Sequence, residues 1–391
     1  MSGRSLPRCL LRSAAFFAVI SLGASWARAN GAFPAVSQLV ADPADASHLV
    51  LRSNFGLLTT RDSGQNWDLV CEGGIGYQNI EPPIAVLGNG STIAALSSGI
   101  AYGTANECQF DLATGVEAYV ADVARVPGAA TRAVAVSVDF DRNASQVWQT
   151  TDGGRSWSTW GSALDEFNAT TIEVASSDAH LLYVSGISQS GVVKGVLARS
   201  SDGGQSWARF DVPGASKVSA PYIAAVAADE PDTVYVRLSG TPGQLLATRD
   251  GGEHLNAVLD FNGPFDGFAL SPDGRSALAS GRTDGVWRAP TATLAFEQVS
   301  CAHVRCLSWT QAGLFACADE FQAGFLVGES SDLGATFEPR LHLSCVRGPL
   351  SCPDGSSVAD ACTAAWPMIS EQLGSDCAAA SDFMPSTDCS S

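Results

Sequence analysis

The octapeptide Thr60-Arg-Asp62-Ser-Gly64-Gln-Asn-Trp67 recurs along this chain and decides its fold. It returns as Thr150-Thr-Asp152-Gly-Gly154-Arg-Ser-Trp157 and as Ser200-Ser-Asp202-Gly-Gly204-Gln-Ser-Trp207. Two weaker copies follow. Thr248-Arg-Asp250-Gly-Gly252-Glu-His-Leu255 lacks the aromatic residue, and Ser330-Ser-Asp332-Leu-Gly334-Ala-Thr-Phe337 has Phe in its place. Five copies of one motif indicate a repeat protein.

The spacing of the copies gives the size and number of the repeats. Successive aspartates are 90, 50, 48 and 82 residues apart, so the first and last intervals each hold two periods. Two decayed copies are therefore expected near Asn106 and Thr291. Seven units of 40 to 50 residues result, and this is the length of a four-stranded propeller blade.

Each unit has two short apolar runs before its octapeptide, such as Thr233 to Leu238 and Gln244 to Ala247 before Asp250. Runs of this length, rich in Val, Leu and Tyr and bounded by Gly, Pro, Asp and Ser, are typical of strands. No helical period is apparent between residues 30 and 343. The sequence predicts an all-β protein, a seven-bladed β-propeller of four-stranded antiparallel blades.

The residue types of the octapeptide suit a hairpin turn. An Asp carboxylate can accept backbone N–H groups across its own turn, the glycine allows a positive φ, and the aromatic ring packs into the blade. We expect a structural role for the residues at these positions, which are Asp62, Gly64, Trp67, Asp152, Gly154, Trp157, Asp202, Gly204, Trp207, Asp250, Gly252, Asp332, Gly334 and Phe337.

The motif resembles the Asp-box of bacterial neuraminidase-repeat, sortilin-like and photosystem II assembly factor-like propellers. The resemblance covers residues 30–343. It implies a scaffold whose Asp-boxes lie on the face opposite a ligand-binding mouth, so the box aspartates should not be catalytic. Members of these families include sialidases, other glycoside hydrolases and proteins that bind peptides or proteins without chemistry.

The catalytic residues of a sialidase are not recognisable. The Phe/Tyr-Arg-Ile-Pro motif that the resemblance leads us to expect is absent, since Arg52 in the first blade lacks the following Ile-Pro. Other arginines, Arg132, Arg237 and Arg305, have no triad context. The catalytic site stays unknown at this stage. Acids near predicted strand starts that could face the mouth are Asp122, Glu173, Asp266 and Glu320.

No metal or cofactor is predicted. The stretch Asp139-Phe-Asp141-Arg-Asn143 has the alternating oxygens of a calcium loop, but Ala144 replaces the required Gly and Thr150 the required Glu. A Gly-x-Ser-x-Gly nucleophile elbow does not occur.

The N-terminus and the charge suggest where the protein acts. Residues 1–29 contain early arginines, an apolar run and Ala27-Arg-Ala29, which together predict a secretory signal peptide. The formal net charge is −18, and −22 without the four arginines of that segment. Such an acidic surface is a poor partner for nucleic acid. We expect a secreted monomer, extracellular or in the periplasm and cell envelope, without a membrane span.

The cysteines predict disulfides, because an even number remains in an exported chain once Cys9 is removed. We expect a Cys71–Cys108 bridge and four more of open connectivity, with an irregular, cysteine-rich segment at residues 344–391. The ten cysteines are Cys71, Cys108, Cys301, Cys306, Cys317, Cys345, Cys352, Cys362, Cys377 and Cys389.

Three functions fit these observations, and one of them is a purely structural envelope protein whose mouth the C-terminal segment would fill. The favoured one is a non-enzymatic recognition protein that binds a glycan, peptide or protein at the propeller mouth, because a propeller mouth is a rigid funnel lined by loops from every blade. The alternative is a carbohydrate-active enzyme, exo-sialidase-like or another glycoside hydrolase, with an unrecognised carboxylate site.

Overall fold

A computed structural model describes residues 35–78, 80–374 and 376–377. The predicted signal peptide and Cys389 lie outside these residues. Within them, no helix is long and apolar enough to cross a membrane.

The chain forms seven antiparallel sheets in sequence order, which confirms the predicted seven-bladed propeller. Blades 1 to 3 are β1 (Val36–Ala41), β2 (Leu49–Ser53), β3 (Gly56–Thr60), β4 (Asp68–Cys71); β5 (Ile84–Val86), β6 (Thr92–Leu96), β7 (Gly99–Gly103), β8 (Phe110–Leu112); and β9 (Tyr119–Arg125), β10 (Ala133–Asp139), β11 (Ala144–Thr150), β12 (Ser158–Thr159), with the short β13 (Leu164–Asp165) also paired to β11.

Blades 4 to 7 follow the same plan. They are β14 (Phe167–Val174), β15 (Leu182–Ser188), β16 (Lys194–Ser200), β17 (Ala208–Asp211); β18 (Pro221–Val226), β19 (Val234–Leu238), β20 (Gln244–Thr248), β21 (Asn256–Asp260); β22 (Gly267–Leu270), β23 (Ser276–Gly281), β24 (Gly285–Pro290), β25 (Glu297–Ser300); and β26 (Val304–Trp309), β27 (Leu314–Ala318), β28 (Val327–Ser330), β29 (Glu338–Leu341).

The first strands of the blades form the inner wall of a closed ring. Each first strand contacts the first strand of the next blade, and β26 of blade 7 contacts β1 of blade 1. The apolar cores lie between neighbouring blades, as in the cluster that joins Ile93 and Ile100 of blade 2 to Val123 and Ala135 of blade 3. Val, Leu and Ala are the commonest buried residues of the described chain, and the branched side chain of Val packs well on a pleated surface.

Strand direction defines two faces of the ring. In a four-stranded antiparallel blade, the first and third strands both end on one face. The octapeptides follow the third strands, so they lie on the face where the inner strands end, which we call the box face. The inner strands begin on the opposite face, the mouth face.

The first octapeptide shows how these turns are held. The Asp62 carboxylate accepts hydrogen bonds from Thr60 Oγ1 at 2.7 Å and from the Asn66 backbone N–H at 2.9 Å. Thr60 Oγ1 accepts the Gly64 N–H at 3.1 Å, and Trp67 Nε1 donates to the Gly64 carbonyl at 3.0 Å. Each of these polar groups is satisfied inside the turn itself.

The other four octapeptides repeat the bond from the Ser or Thr hydroxyl to the Asp carboxylate, at 2.7 to 2.9 Å. In blade 4, hydrogen bonds from Ser206 and Ser200 lower the pKa of Asp202 to about 2. The aspartates are thus stabilised as anions by their own turns. The predicted decayed copies also lie in third-to-fourth strand connections, and Asn106 still accepts from Thr104 Oγ1 at 2.6 Å.

The C-terminal segment is more regular than the sequence analysis expects. Its backbone runs beside β4, where the Leu69 N–H donates to Gly348 at 2.7 Å and the Leu350 N–H donates to Leu69 at 2.8 Å. A helix, α3 (Ser357–Leu373), then packs against β4 and the short helix α1 (Glu72–Ile75). The expectation of an irregular segment is wrong for α3, whose buried stripe combines the disulfide cysteine Cys362 with Val358, Ile369 and Leu373.

Four disulfides join described cysteines, and the predicted Cys71–Cys108 bridge is wrong. Each of these two residues bonds to the C-terminal segment, because that segment brings a cysteine to a Cα distance of 5.3 Å, within the range that a disulfide requires. Cys301 is disulfide-bonded as well. The four pairs are Cys71–Cys362, Cys108–Cys352, Cys306–Cys317 and Cys345–Cys377.

We predict that the C-terminal bridges stabilise the ring more than the hairpin bridge does. Cys71–Cys362 spans 291 residues and Cys306–Cys317 only 11. In the chain-entropy account these contribute about 4 and about 3 kcal/mol respectively, because the intact Cys108–Cys352 bridge shortens the loop that Cys71–Cys362 closes. Cys71→Ser/Cys362→Ser should therefore lower the midpoint of urea unfolding more than Cys306→Ser/Cys317→Ser. Equal losses would contradict a clasp role for the segment.

A second prediction concerns Gly154, whose φ is +92° and whose added Cβ would lie 2.6 Å from Ile93 Cγ2 of blade 2. Gly128 is the matched control, since its φ is +75° with open space around it. Gly128→Ala should cost about 1 kcal/mol for backbone strain alone. Gly154→Ala should cost more because Ile93 must move as well. Similar unfolding midpoints for both variants would argue against this packing.

Candidate functional site

A cavity of about 600 Å³ lies at the centre of the ring, enclosed by the first strands. Its wall combines charged, polar and aromatic side chains from six blades. The charged and aromatic residues are Arg52, Asp122, Arg125, Glu173, Tyr222, Arg237, Asp266 and Phe268. This is the region in which a propeller would hold a ligand.

Side chains in one layer of the wall tie each blade to the next. Gln38 Oε1 accepts the Ile84 N–H at 3.1 Å, from blade 2 to blade 1. Asp122 Oδ2 accepts the Ile172 N–H at 3.0 Å, from blade 4 to blade 3. Thr171 Oγ1 accepts the Ile223 N–H at 2.8 Å, from blade 5 to blade 4. These three side chains therefore satisfy backbone groups that β-sheet pairing leaves free.

A β-bulge precedes each of these three residues. The extra residue is Ser37 in β1, Ala121 in β9 and Thr170 in β14. A bulge leaves one residue unpaired and redirects the side chains beside it. The repeated bulge explains why Gln38, Asp122 and Thr171 all reach the neighbouring blade.

Arg52 and Arg237 occupy equivalent positions in blades 1 and 5. Each lies three residues after the strand residue that pairs with the Thr of the octapeptide, Leu49 with Thr60 and Val234 with Thr248. Both are next to last in a second strand, so both lie near the mouth face. Neither arginine matches a sialidase motif, so the sequence predicts neither as a site residue. Their equivalence appears only when strand register is known.

Neither arginine forms an ion pair within the described part of the chain. Arg52 Nε donates to Ser37 Oγ at 3.1 Å, and the Arg237 guanidinium carbon lies 4.6 Å from the centre of the Tyr222 ring. Burial lowers the pKa of both arginines below the ordinary value. Two desolvated positive groups thus face the cavity without a bound carboxylate.

Asp122 and Glu173 are the acids of the inner wall. Burial raises the pKa of Asp122 to about 7. The hydrogen bond from Ile172 and the positive charges of Arg52 and Arg237 lower this pKa, but burial outweighs them. Burial also raises the pKa of Glu173 to about 8, and the nearby Asp122 adds to this shift. Near neutral pH, protons on these two groups reduce the negative charge of the wall.

Of the four acids that the sequence offered, three line the cavity and one does not. Asp266 joins Asp122 and Glu173 there, but Arg282 pairs with both of its carboxylate oxygens, at 2.6 and 3.0 Å. Glu320 is not part of this wall. It lies in the helix α2 (Glu320–Ala323) and accepts hydrogen bonds from His342 Nδ1 and the Leu343 N–H.

A second polar cluster, at blades 1 and 2, was not foreseen. His48 lies between Asp42 and Glu107, with ring nitrogens 3.4 and 3.3 Å from their carboxylates. The Glu107 carboxylate also accepts from Thr59 at 2.6 Å and Thr92 at 3.0 Å. All five side chains are buried. The cluster resembles a catalytic triad in composition, but its burial gives it a structural role between the blades.

The rejected calcium loop forms the β10–β11 hairpin. The Asp139 carboxylate accepts the backbone N–H groups of Asp141 and Arg142, both at 3.1 Å. An exposed trio, Asp250, Glu253 and His254, has ligand atoms within 4.8 Å of one another. His254 belongs to the hydrogen bonding of the blade 5 octapeptide, because its Nδ1 lies 2.7 Å from Oδ2 of Asp250.

No protein-family model and no curated protein sequence matches this chain. Its fold matches solved structures. An ancestral GH74 enzyme has a TM-score of 0.57 at 17% identity, over 78% of this chain and 46% of that one. Hydrazine synthase of Kuenenia stuttgartiensis has 0.56 at 11%, over 75% and 95%. The Cps50 (Swd1) β-propeller domain of Myceliophteria thermophila has 0.50 at 10%, over 73% and 93%.

These similarities show the fold alone. The chain spans less than half the length of the GH74 enzyme. The three proteins have unrelated names, as is common for proteins that share a fold. Function must therefore be argued from the side chains of the cavity.

The raised pKa of Asp122 predicts a pH-dependent stability. An acid with a raised pKa in the folded protein costs stability as the pH rises from the unfolded value near 4 through the folded value. Asp122→Asn keeps an oxygen acceptor for Ile172. It should be nearly neutral at pH 4.5 and stabilising by roughly 1 to 3 kcal/mol at pH 8.5, as measured by urea unfolding.

Asp202→Asn is the control with the opposite sign. The lowered pKa of Asp202 adds stability above pH 4, and this is lost as the pH falls toward 2. The variant should therefore be destabilised at pH 7 and approach the natural protein in acid. A gain for Asp122→Asn that did not change with pH would contradict the raised pKa.

Proposed function

We propose that this protein is a secreted, non-enzymatic recognition protein whose mouth binds a ligand bearing a carboxylate, on a glycan, a peptide or a protein. The observation that carries the proposal is the pair Arg52 and Arg237, which face the central cavity without an ion-pair partner among the described residues. A guanidinium group binds carboxylates in a planar, two-bonded geometry.

The surroundings of the two arginines support binding at this site. The Tyr222 ring under Arg237 holds the guanidinium in place and offers an aromatic surface to a ligand. The cavity also falls in the size range of small-ligand sites. Because the net charge of −18 repels anions at a distance, the arginines supply the local attraction.

The hydrogen bonds that the cavity acids Asp122 and Asp266 already make favour binding over hydrolysis. A glycoside hydrolase needs two carboxyl groups that are available to the substrate. Asp122 already accepts a backbone N–H of the next blade, and Asp266 is held by Arg282. Secretion is supported by the predicted signal peptide and by the disulfides, which persist in oxidising compartments.

A glycoside hydrolase is the second candidate, and the pKa shifts of Asp122 and Glu173 favour it. Acids with raised pKa in a cavity are typical of proton-transfer sites. Release of reducing sugar from a polysaccharide by the purified protein, abolished in Glu173→Gln, would establish this alternative and overturn the non-enzymatic proposal.

We predict that Arg52→Gln/Arg237→Gln loses carboxylate binding. The probes are uronic acid oligosaccharides and peptides with a free or amidated C-terminus, titrated by calorimetry. Each charge-assisted hydrogen bond contributes about 1.5 to 3 kcal/mol. The double variant should therefore bind at least about 100-fold more weakly, and amidation or reduction of the carboxylate should have the same effect.

The matched control is Arg155→Gln/Arg249→Gln, which removes two exposed arginines from the turns of the box face. It changes the net charge equally and should leave affinity unchanged. If both double variants lose affinity alike, net charge rather than the cavity determines binding, and the proposed site is wrong.

A further inference from the structure

The exposed apolar side chains of this protein lie mostly on one face. Ten large hydrophobic residues are exposed in the described part of the chain. Strand direction places seven of them on the mouth face. The three exceptions are Leu112, which ends the outer strand β8 close to the octapeptide of blade 3, Leu333 in a box-face turn and Met368 in α3. Single exposed apolar residues are ordinary, but a concentration on one face marks an interaction surface.

Blade 3 supplies an aromatic pair to this face. Tyr119 begins β9 and Phe140 forms the tip of the β10–β11 hairpin, with ring centroids 5.3 Å apart. Both rings remain exposed, Phe140 by 59%. A polar residue would serve the hairpin equally well, as Ser97 and Ser98 do at the same place in blade 2. Turn geometry therefore does not account for the aromatic tip.

The mouth-face loops of blades 4 and 7 add further apolar residues. Val192 lies in the β15–β16 hairpin and Val218 in the connection from blade 4 to blade 5, and these are 81% and 87% exposed. Phe321, in the second hairpin of blade 7, is also exposed. None of these side chains packs into a core between blades. Their surface is available to a partner.

The charge around these residues is acidic. Glu117, Asp141, Asp165 and Glu166 are exposed on the same face and form no ion pair among the described residues. Lys194 pairs with Asp211. Lys217 and Arg209 form no ion pair among the described residues, and Arg209 donates to the Asp165 carbonyl at 2.9 Å, so the four acids outnumber these two bases. An acidic, apolar rim complements a surface that is basic and apolar. It repels a second copy of the same rim.

We infer that the mouth-face rim docks a partner protein through a polypeptide surface that carries apolar side chains together with lysine or arginine. The inference rests on the proposed function in taking the mouth as the recognition face, but it uses residues outside the cavity. A neutral glycan would gain little from acidic side chains and isolated valines. A polypeptide can bury the valines and aromatic rings while pairing its cations with the four acids.

The test uses three short synthetic peptides with amidated C-termini, titrated by fluorescence anisotropy. The protein is the Arg52→Gln/Arg237→Gln variant, so that carboxylate binding in the cavity does not contribute. One is amphipathic with leucine and lysine, the second has glutamate in place of lysine, and the third has serine in place of leucine. The first should bind, and the other two at least tenfold more weakly. Equal binding of the glutamate peptide would overturn the charge assignment, and equal binding of the serine peptide the apolar one.

Variants locate the binding surface. Tyr119→Ser/Phe140→Ser/Val192→Ser/Val218→Ser should weaken the leucine–lysine peptide at least tenfold, whereas Leu333→Ser/Met368→Ser should leave it unchanged. Thermal unfolding checks that both variants fold, which is expected because all six side chains are exposed. Loss in the control alone, or unchanged binding in the quadruple variant, would refute the rim.

Two further measurements distinguish a protein partner at the rim from carboxylate binding in the cavity and from self-association of this chain. Arg52→Gln/Arg237→Gln should still bind the leucine–lysine peptide. The proposed carboxylate site and the rim are therefore tested separately, and either one can be wrong without the other. If sedimentation shows a dimer that the quadruple variant abolishes, the rim pairs two copies of this chain and the inferred partner is wrong.

Discussion

The closed ring of first strands is the constraint on which the rest of this structure depends. Seven inner strands must meet around a circle, although neighbouring blades share no β-sheet ladder. Side chains therefore satisfy backbone groups at the seams, as Gln38, Asp122 and Thr171 do for the N–H groups of the next blade. The same layer forms the wall of the cavity, so the residues that join the blades also determine its chemistry.

Closing the ring between the last blade and the first needs another device. Among the described residues every blade is made of consecutive strands, and no strand from one end of the chain completes a blade at the other end. The C-terminal segment fills this role. It leaves blade 7, runs along β4 of blade 1, and is fixed by disulfides to Cys71 of blade 1 and Cys108 of blade 2. The clasp lies at the outer edge of the ring.

The two faces differ in chemistry because they have different tasks. On the box face, the aspartates accept hydrogen bonds within their own turns, and the bonds from Ser206 and Ser200 keep Asp202 ionised. On the mouth face, Arg52 and Arg237 stay unpaired within the described chain and apolar side chains such as Phe140 stay exposed. The residues that hold the octapeptide turns are thus separate from those exposed at the mouth face, which lets the mouth-face loops vary without loss of the turns.

The sequence by itself determined the blades, because a turn is a local structure and its Ser/Thr, Asp and Gly must occur at fixed spacing wherever it is built. It also offered Asp122, Glu173 and Asp266. It did not decide the pairing of Cys71, which depends on a partner 291 residues away. The equivalence of Arg52 and Arg237 likewise appears only once strand register is known. The two arginines come from different blades, and only closure of the ring brings both to the same cavity.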